Sequence, residues 1–451
     1  MAADIRLFHA VVLFVMICVA PAGVHAWESA RELPAQPLGM AEAVNFALSH
    51  NRVLLAAEQE VKAVGQKVRQ SRSDFYPKLD AAYSYTSLKD QPYMEVESFR
   101  VPTSYTTLNR WEVEVSQPLF TGFGLTARLN MSRMDQEIAQ NRLQEVRLNV
   151  IQGVKRAFLR TLLAEKLLMV ERDSVSSLEV HRRNAETYHQ QGLVARNDVL
   201  KAEVALSQAR QRERETARRL VLLKSELNRL LDIDLQFALK LKEEEIHIRP
   251  DPPLDELFLL AEDRRPEYLS VAASIRQAEE GVRAARSRYY PHLSAFALYY
   301  REGEDFLSER NEFTNNENAA VGVRVSLNVF EGGKTDAAIK EWQYRRKGLE
   351  EQQRDVRQRI RLEVEDAFEQ LKVARVNIDT ARTALKQAEE NERMTTVQYK
   401  EQMVIFLEVL NAQVFVSQTR VDFFQALYGY QIARADLERA VGGPYEGGAS
   451  R

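Results

Sequence analysis

Histidine, cysteine and carboxylate side chains are what a chain uses to bind a metal or move a proton, so their spacing comes first. The sequence holds seven histidines, His9, His25, His50, His181, His189, His247 and His292, and a single cysteine, Cys18. One Cys leaves no disulfide framework and no Cys-rich zinc site. Neither an HExxH helix nor a two-His-one-carboxylate spacing occurs. His181 and His189 are eight residues apart, near one face of a predicted helix, with no third ligand in sequence reach. They read as a surface or seam pair. There is no GxSxG elbow and no phosphate-binding GxxxxGKS or GxxxxGKT loop. Gly122-Phe123-Gly124 is an isolated GxG after a strand-like run and reads as a turn into a helix. Carboxylates are plentiful, but in Arg212-Glu213-Arg214-Glu215 they alternate with arginine, and in Glu243-Glu244-Glu245 they stand together; both read as solvated surface. No catalytic, cofactor-binding or metal-binding residue is expected, and no cofactor.

What, then, do the remaining residues build? Of 451 residues, 45% are apolar, 28% charged and 8% aromatic, with a net charge of −3. That composition can bury a sizeable core and stay water-compatible. The near-neutral balance, with no basic stretch interleaved with aromatics, speaks against nucleic acid as a partner. Gly (18) and Pro (13) are scarce, which favours long uninterrupted elements. The one long apolar run, Ala10 to Ala20, follows Arg6 and precedes Val24-His25-Ala26. It reads as a secretory signal peptide over 1–26, too short in its apolar part to span a bilayer. Ile17 before Cys18 does not suit lipidation. A mature chain starting at Trp27 has no Cys.

The chain repeats itself. RSDFYPKLDAAYSY (Arg72 to Tyr85) resembles RSRYYPHLSAFALY (Arg286 to Tyr299), with Pro77 and Pro291 214 apart. VEVSQPLFTG (Val113 to Gly122) resembles VRVSLNVFEG (Val323 to Gly332), with Phe120 and Phe330 210 apart. Tyr188 with SQAR (Ser207 to Arg210) resembles Tyr399 with SQTR (Ser417 to Arg420), at 211 and 210. Three anchors in one order predict two structural repeats, 38–232 and 253–441. A Pro-rich linker joins them over 233–252, and a short Gly-rich tail follows over 442–451.

Each repeat has the same grammar. A helix near 51–75 leads to strand-like runs near 78–88 and 107–119. A very long helix follows over 125–187, roughly 95 Å at 1.5 Å per residue, then a break at Gln191-Gly192 and a helix of about 35 residues from Asn197. The second repeat gives a helix at 266–289, runs at 291–300 and 318–330, a helix at 334–398, a break near Gln402 and a helix at 405–441. Val356, Ile360, Val364, Ala367, Leu371, Ala374 and Ile378 are spaced by fours and threes, a coiled-coil-like seam. Leu220, Leu223, Leu227 and Leu230 continue that pattern. In the strand-like runs, Val113 and Val115 alternate with Glu112, Glu114 and Ser116, and Val321 to Val329 alternate with Gly322, Arg324, Ser326 and Asn328. Each run has the length of a transmembrane β-strand, one face apolar and one polar. Val113, Val115, Val323 and Val325 are expected to face lipid, and Glu112, Glu114 and Arg324 the lumen. Phe296 and Leu298 interrupt the polar side of the run after Pro291. The segments Asp90 to Thr106 and Arg301 to Asn316 read as polar loops. Four strands cannot close a barrel, and lipid forbids open edges, so several copies must pool their strands.

This architecture, with the tip segment YHQQGLVARNDVLKAE (Tyr188 to Glu203) and the turn Phe330-Glu331-Gly332-Gly333, resembles the TolC family of outer-membrane efflux and secretion channels. The resemblance covers 38–441. It implies a mainly α protein with a transmembrane β part. Three chains would form a twelve-stranded β-barrel in outer-membrane lipid, continued by a twelve-helix α-barrel through the periplasm. It implies a passive channel of a tripartite efflux or type I secretion system, working with a periplasmic adaptor and an inner-membrane pump or ATP-binding-cassette exporter. By carry-over, Gly192, Leu193, Val194 and Ala195 are candidate adaptor contacts. The second tip, YKEQMVIFLEVLNA (Tyr399 to Ala412), lacks the Gly, so docking there is less expected. Glu408 matches the first of two acids at the family's entrance constriction, and Asn411 stands where the second would be. The alternative reading is a soluble periplasmic coiled-coil scaffold or adaptor.

Overall fold

The computed structural model describes residues 36–243, 248, 252–401 and 403–445. The expected signal peptide with Cys18, and all but the start of the expected tail, lie outside the described residues. The described residues open with two helices, α1 (Met40–His50) and α2 (Arg52–Ser73), where one was expected. Asn51 divides them: its backbone is extended, and its side-chain oxygen accepts from the amides of Val53 (3.0 Å) and Leu54 (3.3 Å), starting a new helix. A matching pair, α5 (Leu254–Arg264) and α6 (Pro266–Arg286), is divided at Arg265. Pro266 drives the residue before it out of the helical region and then sits at the first helical position.

The strands are β1 (Lys78–Ser87), β2 (Tyr93–Val96), β3 (Phe99–Pro102), β4 (Thr107–Thr121), β5 (His292–Gly303) and β6 (Glu317–Ser326). β1, β4, β5 and β6 form one antiparallel sheet in that order; β2 and β3 form a separate hairpin. That hairpin stands inside the segment read as a polar loop. Its strands have four residues each, too few for alternation to be visible. The last run ends earlier than its alternation suggests. Ser326 pairs with His292, the first residue of β5, so Leu327, Val329 and Phe330 have no neighbouring strand to bond.

The long helices are α3 (Gly124–Gln190) and α7 (Lys334–Lys400), each of 67 residues and so about 100 Å long. They are followed by α4 (Arg196–Leu230) and α8 (Phe406–Ala440), each of 35 residues. α2 and α4 both pack on α3, and α6 and α8 both pack on α7; α6 and α8 also cross to α3. The seam Val356, Ile360, Val364, Ala367, Leu371 and Ile378 is buried against α5 and α8, with Ala374 partly buried beside it. A second core joins Val154, Phe158 and Leu162 of α3 to α1 and to Leu231, Ile233 and Leu239 beyond α4. That last segment is held down by buried Asn228, whose amide donates to the carbonyls of Asp234, Leu235 and Phe237. No described helix is long and apolar enough to cross a membrane.

Candidate functional site

The sheet sorts its side chains by register. Directly paired residues share a face. One face carries Val113 with Tyr299 and Ala319, then Leu79 with Val115, Ala297 and Val321; Val323 and Val325 follow two and four residues on. The other carries Glu112 with Tyr300 and Asn318, and Asp80 with Glu114. Arg324 stands on this second face, and Arg110 bridges Glu112 (2.9 Å) and Glu302 (3.5 Å) there. The apolar face ends in an aromatic group at the loop side: Tyr83, Trp111 and Phe306, with ring centroids 4.7 to 5.4 Å apart. The Trp111 indole donates to the Phe306 carbonyl at 2.8 Å. One apolar face, one charged face and aromatics at the rim are what a lipid-facing sheet with a wet interior needs. Among the described residues neither edge, β1 or β6, has a neighbouring strand on its outer side.

The opposite end carries two helix tips. α3 ends in a Schellman closure: the Leu193 amide donates to Tyr188 (2.9 Å), the Gly192 amide to His189 (2.9 Å), and Gly192 is left-handed at φ +76°. His189 Nδ1 lies 3.0 Å from the Val194 carbonyl, bracing the loop. Ala195 is extended and begins α4. The second tip, without a glycine, makes the corresponding bond, Met403 amide to Gln398 carbonyl at 2.9 Å. That bond aligns Tyr399 with His189 rather than with Tyr188, so the tyrosine anchor in the sequence is one residue out of step. The two tips meet. Leu193, Val194 and Ala195 share a cavity of about 390 Å³ with Tyr188, Tyr399 and Phe406. Tyr399 lies 6.3 Å from the Tyr188 ring and 5.8 Å from Phe406, and burial raises its phenol pKa. From sequence, Tyr188 and Tyr399 entered only as a repeat anchor and Phe406 not at all, although aromatics bracketing both helix breaks were there to be read.

Glu408 and Asn411 are exposed on the first turns of α8. Glu408 is the third residue of that helix, and its amide donates to Ile405 at 3.1 Å. Behind them, His181 of α3 faces Phe406, ring centroids 6.1 Å apart. Burial lowers the His181 pKa, while a hydrogen bond with Gln413 works the other way. His181 and His189 thus serve different contacts. Among the described residues no group of three or more His, Cys, Asp or Glu could hold a metal ion.

Residues 43–231 and 257–443 match the outer membrane efflux protein family. The chain belongs to that family. It is 24% identical to the cobalt-zinc-cadmium resistance protein CzcC of Cupriavidus metallidurans over 417 residues, 90% of this chain and 91% of that one. Against the alkaline protease secretion protein AprF of Pseudomonas aeruginosa, identity is 23% over 421 residues, covering 90% and 84%. The fold superimposes on the CmeC outer membrane channel of Campylobacter jejuni with a TM-score of 0.77 at 16% identity, covering 95% and 92%. This outer membrane efflux protein is a channel and not an enzyme, placed in the outer membrane with its helical tunnel in the periplasm. Membership sets aside the soluble scaffold or adaptor.

Proposed function

We propose that three copies of this chain close into a single export duct. The observation that carries the reading is the four-stranded sheet, apolar on one face and charged on the other, with both edges unpaired among the described residues. Such edges are not tolerated in lipid. β6 of one copy pairs with β1 of the next, and three sheets of four give twelve strands. Exposed apolar residues support helix pairing between copies in the same sense: Leu200, Val204 and Val221 on α4, and Leu362, Val373 and Val376 on α7.

The two-repeat organisation, 38–232 and 253–441, is supported by spacing. α5, α6 and β5 each start 214 residues after α1, α2 and β1, whereas β6, α7 and α8 each start 210 after β4, α3 and α4.

The tips, with their shared apolar cavity, dock a periplasmic adaptor through Gly192, Leu193, Val194 and Ala195. An inner-membrane pump or ATP-binding-cassette exporter supplies the energy. The names of the two relatives cover metal resistance and protease secretion, so the duct serves small solutes or proteins according to its pump. At the entrance, three copies of Glu408 concentrate cations, and Asn411 lowers the charge a second acid would add.

The test is membrane fractionation with heat-modifiable oligomer gels, followed by cysteine labelling in outer membranes. A trimer band is expected, with Glu114→Cys labelled by a water-borne maleimide and Val113→Cys protected. Protein confined to the soluble periplasm, or equal labelling at 113 and 114, would overturn the reading.

A further inference from the structure

We propose that Phe415 and Asp422 line the lumen just inside the periplasmic mouth, Phe415 forming an apolar collar between two levels of acid. The inference rests on the trimeric duct described above. Near its start, α8 is covered around most of its circumference, with Phe406, Val409, Ala412 and Val416 buried. One continuous stripe stays open, with exposed Val414 beside it. Glu408, Asn411, Phe415, Gln418, Asp422 and Gln425 are all exposed, and they succeed one another at intervals of 3, 4, 3, 4 and 3. That is a 3.5-residue period, so the stripe holds one heading along a coiled wall instead of spiralling around it.

The stripe runs between two grooves. On one flank, a groove of about 450 Å³ separates it from α7, where Asn377 and Thr380 face Thr419 and Asp422. On the other, a groove of about 350 Å³ separates Leu407 and Leu410 from Leu200 and Val204 of α4. Glu408, the entrance acid of the duct reading, opens this stripe, so the residues in line with it share its heading into the lumen.

Composition says what covers the stripe. Five of its six side chains are polar or acidic. An interface between copies built on Glu, Asn, Gln and Asp would take solvated groups out of water with no stated partner. Water is the occupant, and Phe415, 54% exposed, is the one large apolar side chain set into that wet stripe. It stands seven residues from Glu408 and seven from Asp422, about 10 Å along the axis from each. Asp422 accepts from the Gln418 amide at 2.9 Å. It supplies, deeper in the tunnel, the second acid that Asn411 does not.

Three Phe415 rings at one level make a constriction that small hydrated ions cross poorly, because an apolar neck sheds water. Flexible or apolar cargo can pass it by contact. The acids on either side gather cations without relieving that barrier.

The test is single-channel recording of purified trimer in planar bilayers, comparing wild type with Phe415→Ser, Phe415→Trp and Asp422→Asn. Phe415→Ser should raise conductance by about twofold or more, and Phe415→Trp should lower it. Asp422→Asn should weaken cation preference. As a second measurement, Phe415→Cys should lose current when a charged thiol reagent is added from the periplasmic side. Variants at 415 that assemble normally, conduct as wild type and ignore the reagent would overturn the collar. Failure of the duct reading would look different: wild-type protein itself would give neither trimer band nor conductance.

Discussion

The Phe296 ring lies across the backbone of Gly322 on the neighbouring strand. The two residues are paired in the ladder, and a β-carbon at 322 would stand 2.8 Å from the ring's Cζ. The Arg324 guanidinium closes over the same ring, 5.0 Å from its centroid. An aromatic on the polar face, odd by alternation alone, therefore shields a glycine that leaves room for it. Gly322→Val should push the ring aside and cost about 1–3 kcal/mol. Phe296→Ala in the same chain should remove most of that cost. Thermal dissociation of the trimer band checks it. Equal midpoints for wild type and Gly322→Val would mean that the ring is loosely held.

Gly192 poses the opposite case. Nothing lies within 4 Å of a β-carbon placed there, so only its backbone resists substitution. At φ +76° a β-branched residue costs roughly 1–2 kcal/mol. Gly192→Val should impair export while trimer yield and membrane insertion stay normal, and Gly192→Asn should do less harm, because Asn tolerates the left-handed conformation. Export and trimer abundance are read in the same strain. Full export by the Val variant would separate this tip from adaptor docking.

Glu267 joins three helices near the other end of α8. Arg265 donates to it at 3.0 and 3.1 Å, and Arg439 at 2.7 Å. Arg265 also reaches Glu363 (2.8 Å) and the Ala440 carbonyl (3.0 Å). Burial alone would raise the Glu267 carboxyl pKa, but the two guanidinium groups hold it down at about 2. A depressed acid stabilises the fold above its unfolded value of 4.5, and that contribution disappears as pH falls towards 2. The upper bound is roughly 3 kcal/mol. Glu267→Gln should lower thermal stability at pH 7, with the deficit shrinking steadily below pH 4.5. A deficit independent of pH would assign the role to packing instead of charge.

The long elements were legible because their signals are long. Periodicity from Val356 to Ile378, and Gly192 at a break, placed α3, α4, α7 and α8 within three residues of their ends. Shorter features carried less. The helices expected from 51 and 266 begin at those breaks, but the short helices before them, Met40–His50 and Leu254–Arg264, have 11 residues each and too few turns for a periodic pattern to stand out. Alternation ran on to Phe330 because sequence shows pleat but not where the partner strand begins. The meeting of Tyr188 with Tyr399 and Phe406, which lie more than 200 residues further along the chain, depends on helix packing that no local pattern encodes. The open stripe of α8 is visible in sequence only once the helices covering its other faces are known.

His181 adds a titratable group to the seam behind the entrance. Its ring faces Phe406, and Gln413 beside it accepts from the Ser177 hydroxyl at 2.8 Å. Burial depresses the His181 pKa below 6.5, so the packed seam prefers the neutral ring. Protonation is then easier in the loosened state. The contribution is absent well above pH 6.5, and the seam loses stability as pH falls from 6.5 towards the depressed value. Backbone exchange at the tip ends of α3 and α8 should rise between pH 7.5 and 5.5 in wild-type trimer, after correction for intrinsic exchange rates. His181→Gln keeps a polar side chain in the seam but cannot charge, so its protection should be nearly equal at the two pH values. The same acid-induced rise in the variant would show that another group loosens the tip.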